Sequence, residues 1–204
     1  RDIAQTYAAL YDLKSAPENR ELMSYEEGGE RYSTYFLKPR TQADLEKRTA
    51  AHRFITEWSY GLLGRSPDAT ASNVTGMVMK PEVLEEGDGG FPEHLHALWQ
   101  ELRAEDSFLT YAIVPPPAAR NPEFYQAKGI ASPTLRVVRE SDSGVTISGM
   151  KYLATGAAIA NQVIVGNILP LAPDQGPESI TCIIPFNLPG MTLWSRKAIA
   201  VDVR

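Results

Sequence analysis

Cysteine is almost missing from this chain: Cys182 stands alone, in the apolar run at 180–185. One cysteine excludes an internal disulfide and a thiolate metal site, and it reads as a buried core thiol in a reducing, cytoplasmic setting. An excess of positive charge is missing too. Twenty Lys and Arg face 25 Asp and Glu, a net charge of −5, so no basic face is implied and no nucleic-acid partner is expected. No run approaches the roughly 20 apolar residues of a membrane span, so no membrane partner is expected either. Arg1-Asp2-Ile3 does not read as a signal peptide, no Met precedes it, and the last residues read as a strand cut short. Both ends are therefore expected to be cuts in a longer protein. The Gly-x-Gly-x-x-Gly fingerprint of dinucleotide sites is absent, as is the Gly-x-Ser-x-Gly elbow of serine hydrolases. Gly87-Asp88-Gly89-Gly90 follows no strand and reads as a loop. His94-x-His96 has the wrong spacing for two ligands on one helix face, and no third ligand follows at metal spacing, so no metal is expected.

What is present is ordinary globular material. The 204 residues are 43% hydrophobic and 22% charged, enough for one large domain or two small ones. The first half reads as helices. Ile3, Tyr7, Leu10 and Tyr11 recur at helical spacing until Pro17, and a loop with Gly28 and Gly29 follows. Thr41 and Asp44 form a capping-box signature before a helix that fades by Gly61 or Gly64. Residues 73–79 suit a further helix or a buried turn. Residues 91–106 read as an amphipathic helix with Leu95, Leu98, Trp99 and Leu102 on one face. Near Ser107 the character changes to Val, Ile, Thr and Tyr broken by Pro and Gly. Strands are predicted at 108–114, 135–140, 144–148, 162–169, 179–185 and 191–194, with turns at Ser141-Asp142-Ser143-Gly144 and Asp174-Gln175-Gly176. Helices first and strands after predict an α+β chain: a mostly helical domain at 1–106, then a small antiparallel β-barrel or sandwich at 107–204.

Three stretches hold the residue types of a site. Gly64-Arg65-Ser66-Pro67-Asp68 sets a permanent cation in a turn stiffened by proline; it reads either as a site or as a capped junction with a surface ion pair. Thr110-Tyr111-Ala112-Ile113-Val114-Pro115-Pro116-Pro117-Ala118-Ala119-Arg120 is a strand entering a proline-stiffened loop that ends in Arg. Gly149-Met150-Lys151-Tyr152-Leu153-Ala154-Thr155-Gly156-Ala157 carries a Lys and a Thr into small residues, which suit either the approach of a flat group or a tight turn.

In this order and spacing, the three stretches resemble the large oxygenase component of the 4-hydroxyphenylacetate 3-hydroxylase family, whose fold is acyl-CoA-dehydrogenase-like. Ala4-Gln5-x-Tyr7, Tyr11-Asp12, Tyr32-Ser33 and the helix at 44–60 fit as well. The resemblance covers nearly the whole chain. It implies an N-terminal helical domain, a middle β-barrel and a C-terminal helical bundle that this chain lacks. It also implies a two-component system, in which a separate NAD(P)H:flavin reductase supplies reduced FAD, rather than FMN, by diffusion. A flavin C4a-hydroperoxide then hydroxylates a phenol-type aromatic substrate, and the full-length protein is a homotetramer. By the resemblance Arg65 and Tyr111 are catalytic, and Arg65, Ser66, Asp68, Ala69 and Tyr111 contact substrate. Tyr111, Ala112, Ile113, Pro117, Ala118, Ala119, Arg120, Thr155 and Gly156 line the flavin. Two positions depart from the family: Ala69 stands where many members have Tyr, and Tyr111 where they have His. That predicts a specialised aromatic hydroxylase with room for a larger substrate. Three rivals exist: a flavin- and iron–sulfur-dependent hydroxyacyl-CoA dehydratase, which needs cysteines this chain lacks, an acyl-CoA dehydrogenase, whose acidic-Pro-x-x-Gly-Ser pattern is absent, and a non-catalytic flavin-binding scaffold.

Overall fold

A computed structural model describes residues 2–63, 68–84, 89–130, 132–168 and 170–195, without the side chains of residues 2, 3, 68, 118, 120 and 122. The chain divides into two compact units, Arg1–Tyr111 and Ala112–Arg204.

The first unit is mainly helical. Helix α1 (Asp2–Ser15) buries Tyr7 and Leu10, and the chain turns out of it at Ala16 before a 3-10 turn at Pro17–Asn19. A single turn, α2 (Arg20–Met23), leads into a hairpin of β1 (Ser24–Glu27) and β2 (Glu30–Ser33), paired Ser24↔Ser33 to Glu27↔Glu30. Gly28 and Gly29 make its two-residue turn with φ +64° and +84°, the left-handed conformation that such tight hairpins need. The sequence reads this stretch as loop. Its strands are short and rich in Glu, and they are held by the Tyr25–Tyr32 ring pair at 5.8 Å rather than by an alternating apolar pattern.

Helix α3 (Gln42–Trp58) starts as expected. Asp44 N–H donates to Thr41 Oγ1 at 3.2 Å, and Asp44 Oδ2 accepts from the N–H groups of Thr41 at 2.8 Å and Arg40 at 2.9 Å. Arg48, one turn further on, donates to the carbonyls of Thr34, Tyr35 and Leu37, closing the buried 3-10 turn Thr34–Phe36, and to Ser72 Oγ on helix α4 (Asp68–Met79). Helix α5 (Phe91–Ala104) buries Leu95, Trp99 and Leu102 and leaves Leu98 half-buried. Trp99 Nε1 donates to Thr75 Oγ1 of α4 at 3.2 Å. The cations of Lys38 and Arg103 lie 3.8 Å and 4.1 Å from its ring centre, and Arg103 also pairs with Glu27. Among the described residues no helix is long and apolar enough to cross a membrane.

Strand β3 (Leu109–Ala112) carries the chain into the second unit. There β4 (Arg136–Ser141) and β5 (Gly144–Ser148) form a hairpin, and β6 (Gln162–Gly166) pairs antiparallel with β7 (Thr181–Pro185), in the sheet order β3-β6-β7. A short helix, α6 (Pro122–Ala127), is capped by Asn121, whose side-chain oxygen accepts from Phe124 N–H at 3.2 Å. The core is small: Ala112, Leu135, Val163 and Val165, with Ile147, Ala154, Ile180, Cys182, Ile184, Phe186 and Met191 partly covering it.

The α+β class holds, but the expected barrel does not close among the described residues. The sheets are separate and small, and 191–194 forms no strand: it follows Gly190 at φ +85°, and Trp194 is 85% exposed with no neighbouring strand to pair with. Cys182 is half-buried at the margin of the core rather than sealed inside it, and this burial pushes its thiol pKa up.

Candidate functional site

The second and third stretches singled out in the sequence meet in the second unit. Beyond Ala112, which is buried, the chain runs through Ile113 to Val114, and Val114 forms an isolated antiparallel bridge with Tyr152. Tyr152 N–H donates to Val114 O at 2.9 Å. A strand exit and a loop 38 residues apart thus share one backbone hydrogen bond.

On one side of the bridge, Pro115 and Pro116 are buried and the chain closes into the 3-10 turn Pro117–Arg120, where Ala119 N–H donates to Pro116 O at 2.9 Å. Pro117 is exposed and Ala119 half-buried, whereas the side chains of Ala118 and Arg120 lie outside the described residues. On the other side, Leu153 adopts φ +63°, a left-handed conformation costly for a branched side chain. Two overlapping turns follow: Ala157 N–H donates to Ala154 O at 3.1 Å, and Ile159 N–H to Gly156 O at 3.0 Å. Gly156 sits at φ +82°, which a side chain would disfavour. Ala154 packs on the core, while Thr155 faces outward and Met150, Tyr152 and Leu153 are 47%, 45% and 56% exposed. Small residues therefore meet two needs here, tight turns and an open surface of low relief. Gly149 meets a third. At φ +149°, a Cβ there would lie 2.5 Å from Leu135 Cα, so the backbones of these two residues touch.

Lys151 stands at the base of this surface. Its ammonium donates to Asn167 Oδ1 at 2.5 Å, and Asn167 Nδ2 donates to the carbonyls of Leu135 at 2.8 Å and Glu178 at 2.7 Å. Burial holds the ammonium below the ordinary lysine range, and no carboxylate pairs with it among the described residues. The sequence does not single out Asn167, since its partners lie 16, 32 and 11 residues away and no local motif joins them.

The first stretch is only partly placed. Arg65 and Ser66 lie outside the described residues, as does the side chain of Asp68, the first residue of α4; Ala69 follows it half-buried. Tyr111 is half-buried in β3, beside buried Thr110 and Ala112. His94 and His96 are exposed on α5, with the His96 ring 5.8 Å from that of Trp99, and no group of three His, Cys, Asp or Glu among the described residues is placed to hold a metal.

Residues 1–203 match the family model described as 4-hydroxyphenylacetate 3-hydroxylase N terminal. The chain belongs to this family. It is 29% identical to the 4-hydroxyphenylacetate 3-monooxygenase oxygenase component of Thermus thermophilus over 98% of this chain and 40% of that protein. It is 30% identical to an FADH(2)-dependent monooxygenase of Burkholderia cepacia over 97% of this chain and 39% of that one. A crystal structure of the oxygenase component of 4-hydroxyphenylacetate 3-monooxygenase, complexed with FAD and 4-hydroxyphenylacetate, superimposes with TM-score 0.78 at 29% identity, covering 92% of this chain and 38% of that one. The chain thus spans about two fifths of the length of the curated relatives it matches. Along 152–157, Ala154, Gly156 and Ala157 add little bulk, Tyr152 and Leu153 expose apolar area, and Thr155 is exposed.

Proposed function

We propose that the full-length protein carrying this chain is the oxygenase component of a two-component, reduced-flavin-dependent monooxygenase that hydroxylates a phenol-type aromatic substrate. The Val114–Tyr152 bridge carries the reading: it joins the two segments that the family pattern assigns to the flavin wall. Two features of that surface fit a flavin. Ala154, Gly156 and Ala157 leave it flat, and exposed Tyr152 and Leu153 offer apolar area for an isoalloxazine face. Bound reduced FAD supplies two electrons, so that one oxygen atom of O2 enters the aromatic ring and the other leaves as water.

The residues divide the remaining work. Ala112, Ile113, Pro117, Ala119, Thr155 and Gly156 form the wall, with Ala118 and Arg120 completing the 3-10 turn. Arg120 takes the anionic parts of the cofactor, to which a guanidinium binds strongly. Arg65 is the permanent cation suited to a phenolate, and Ser66 and Asp68 are the further substrate contacts. Tyr111 replaces an imidazole as hydroxyl donor toward the substrate oxygen. Ala69 opens space that a tyrosine would fill, so the substrate is bulkier than 4-hydroxyphenylacetate. The helical domain at 1–106 and the wall domain at 107–204 are completed by the remainder of the protein, which assembles as a homotetramer in the cytoplasm and receives reduced FAD from a separate NAD(P)H:flavin reductase.

The test supplies purified full-length protein with chemically reduced FAD, 18O2 and a panel of phenols of increasing size. One 18O atom in a hydroxylated product is expected, with larger phenols preferred. Flavin reoxidation that yields only hydrogen peroxide, with no labelled product from any phenol, would overturn the reading.

A further inference from the structure

We propose that Lys151 and Asn167 are a positioning pair that fixes the 152–157 segment against the body of the second unit. The proposal rests on the flavin-wall reading only for its functional consequence, since the geometry stands by itself.

Asn167 follows β6, whose Val163 and Val165 are core residues, so its backbone is anchored. Its amide is fully used in two directions. The nitrogen holds the carbonyl of Leu135, the residue in backbone contact with Gly149, and that of Glu178 in the 3-10 turn Gly176–Glu178 before β7. These two donations fix which end of the amide is oxygen, and that oxygen faces Lys151. Lys151 therefore reaches an acceptor whose orientation is set by two other segments. The next residue, Tyr152, makes the Val114 bridge, and the turns bearing Thr155 and Gly156 start two residues later. Between 151 and 157 the backbone is joined to the rest of the unit at Tyr152 and then folds into the two local turns. The side chain of Lys151 adds a tether beside that of Tyr152, and tethers on adjacent residues set direction as well as place.

An ammonium on a neutral amide is a costly choice for a merely structural contact, because a half-buried charge without a carboxylate pays desolvation. It is, however, a long, directional donor. A methionine would fill the same space without the tether, which makes the tether separable from packing.

The experiment uses full-length protein carrying Lys151→Met, Lys151→Arg or Asn167→Ala. Amide hydrogen exchange is read at 152–159 and, as an internal control, at 163–165; the dissociation constant for oxidised FAD is read by flavin fluorescence. Lys151→Met and Asn167→Ala should speed exchange at Tyr152 and Ala157, leave 163–165 protected, and weaken FAD about tenfold, the worth of one charge-assisted hydrogen bond. Lys151→Arg should restore both readouts. Exchange at Tyr152 unchanged in Lys151→Met, or faster exchange spread equally over 163–165, would overturn the positioning role. If exchange responds as expected but the unmutated protein does not bind FAD, the pair stands and the flavin reading fails.

Discussion

The two units of this chain solve packing differently. Among the described residues, the largest fully buried side chains, Trp99, Phe36, Leu10, Met23, Leu102, Leu109 and Val74, all lie in the first unit. Three of its cations are held in place: Lys14 pairs with Asp106 at 2.8 Å with the lysine side chain 8% exposed, Arg103 pairs with Glu27, and Arg48 binds backbone carbonyls and Ser72. The second unit has a core of four mostly small residues ringed by half-buried ones, and it shows Met150, Tyr152, Leu153 and Trp194 to solvent. Its organisation comes less from buried volume than from backbone contacts and single side-chain tethers. A unit built in that way offers an open, low surface, and the candidate flavin wall lies on it.

The sharpest break of this contrast is in the first unit. Trp99→Ala should cost about 3–5 kcal/mol in urea unfolding, the usual price of emptying a large aromatic site. In the second unit, a smaller change should be felt through the backbone alone. Gly149→Ala sets a Cβ against Leu135 Cα at positive φ and should cost about 1–3 kcal/mol, with the loss concentrated in hydrogen exchange of the β4–β5 hairpin. A loss below about 0.5 kcal/mol would show that the second unit yields where the first does not. Thr41→Ala removes an exposed cap from α3 and should cost about 1 kcal/mol, measurable as a shift of the urea midpoint at constant slope. The smallest effect is pH-dependent. Hydrogen bonds from Arg40 N–H first, then from Thr41, hold the Asp44 carboxyl below its ordinary range. A depressed carboxylate contributes stability that is fully present above its unfolded pKa, near 4 at roughly ordinary values, and is lost as pH falls through the lower folded one. Asp44→Asn should therefore flatten the acid limb of the stability curve and leave its shape above about pH 5 unchanged.

The same contrast governs what was legible beforehand. The capping box at Thr41 and Asp44 and the apolar face of α5 are local patterns, and both are in the structure where the spacing puts them. The β1–β2 hairpin escaped because Glu26, Glu27, Glu30 and Arg31 give no alternation, and α6 because six residues starting at a proline carry too little periodicity. Residues 191–194 have the composition of a strand but no partner among the described residues, and pairing is a property of the neighbour. At the candidate site, the motif residues on either side of the bridge are visible as runs of Pro, Ala and Gly. The bridge itself and the Asn167 amide are not, because each joins segments distant in sequence. The family resemblance assigns Gly156 to the flavin, whereas a left-handed turn already requires a glycine there, and Gly149, which the resemblance ties to no ligand, is required by a backbone contact.

One guanidinium has a consequence for biosynthesis. Three carbonyls of the Thr34–Leu37 segment are held by Arg48, and the same side chain reaches Ser72. A nascent chain leaving the ribosome N-terminus first exposes that segment before Arg48 has emerged, and 24 further residues must follow before Ser72 joins. Until then Thr34 O has the local N–H of Leu37, while the Arg48 bonds to Tyr35 O and Leu37 O are still to form. The full set of Arg48 bonds is complete only once α4, with Ser72, has cleared the tunnel.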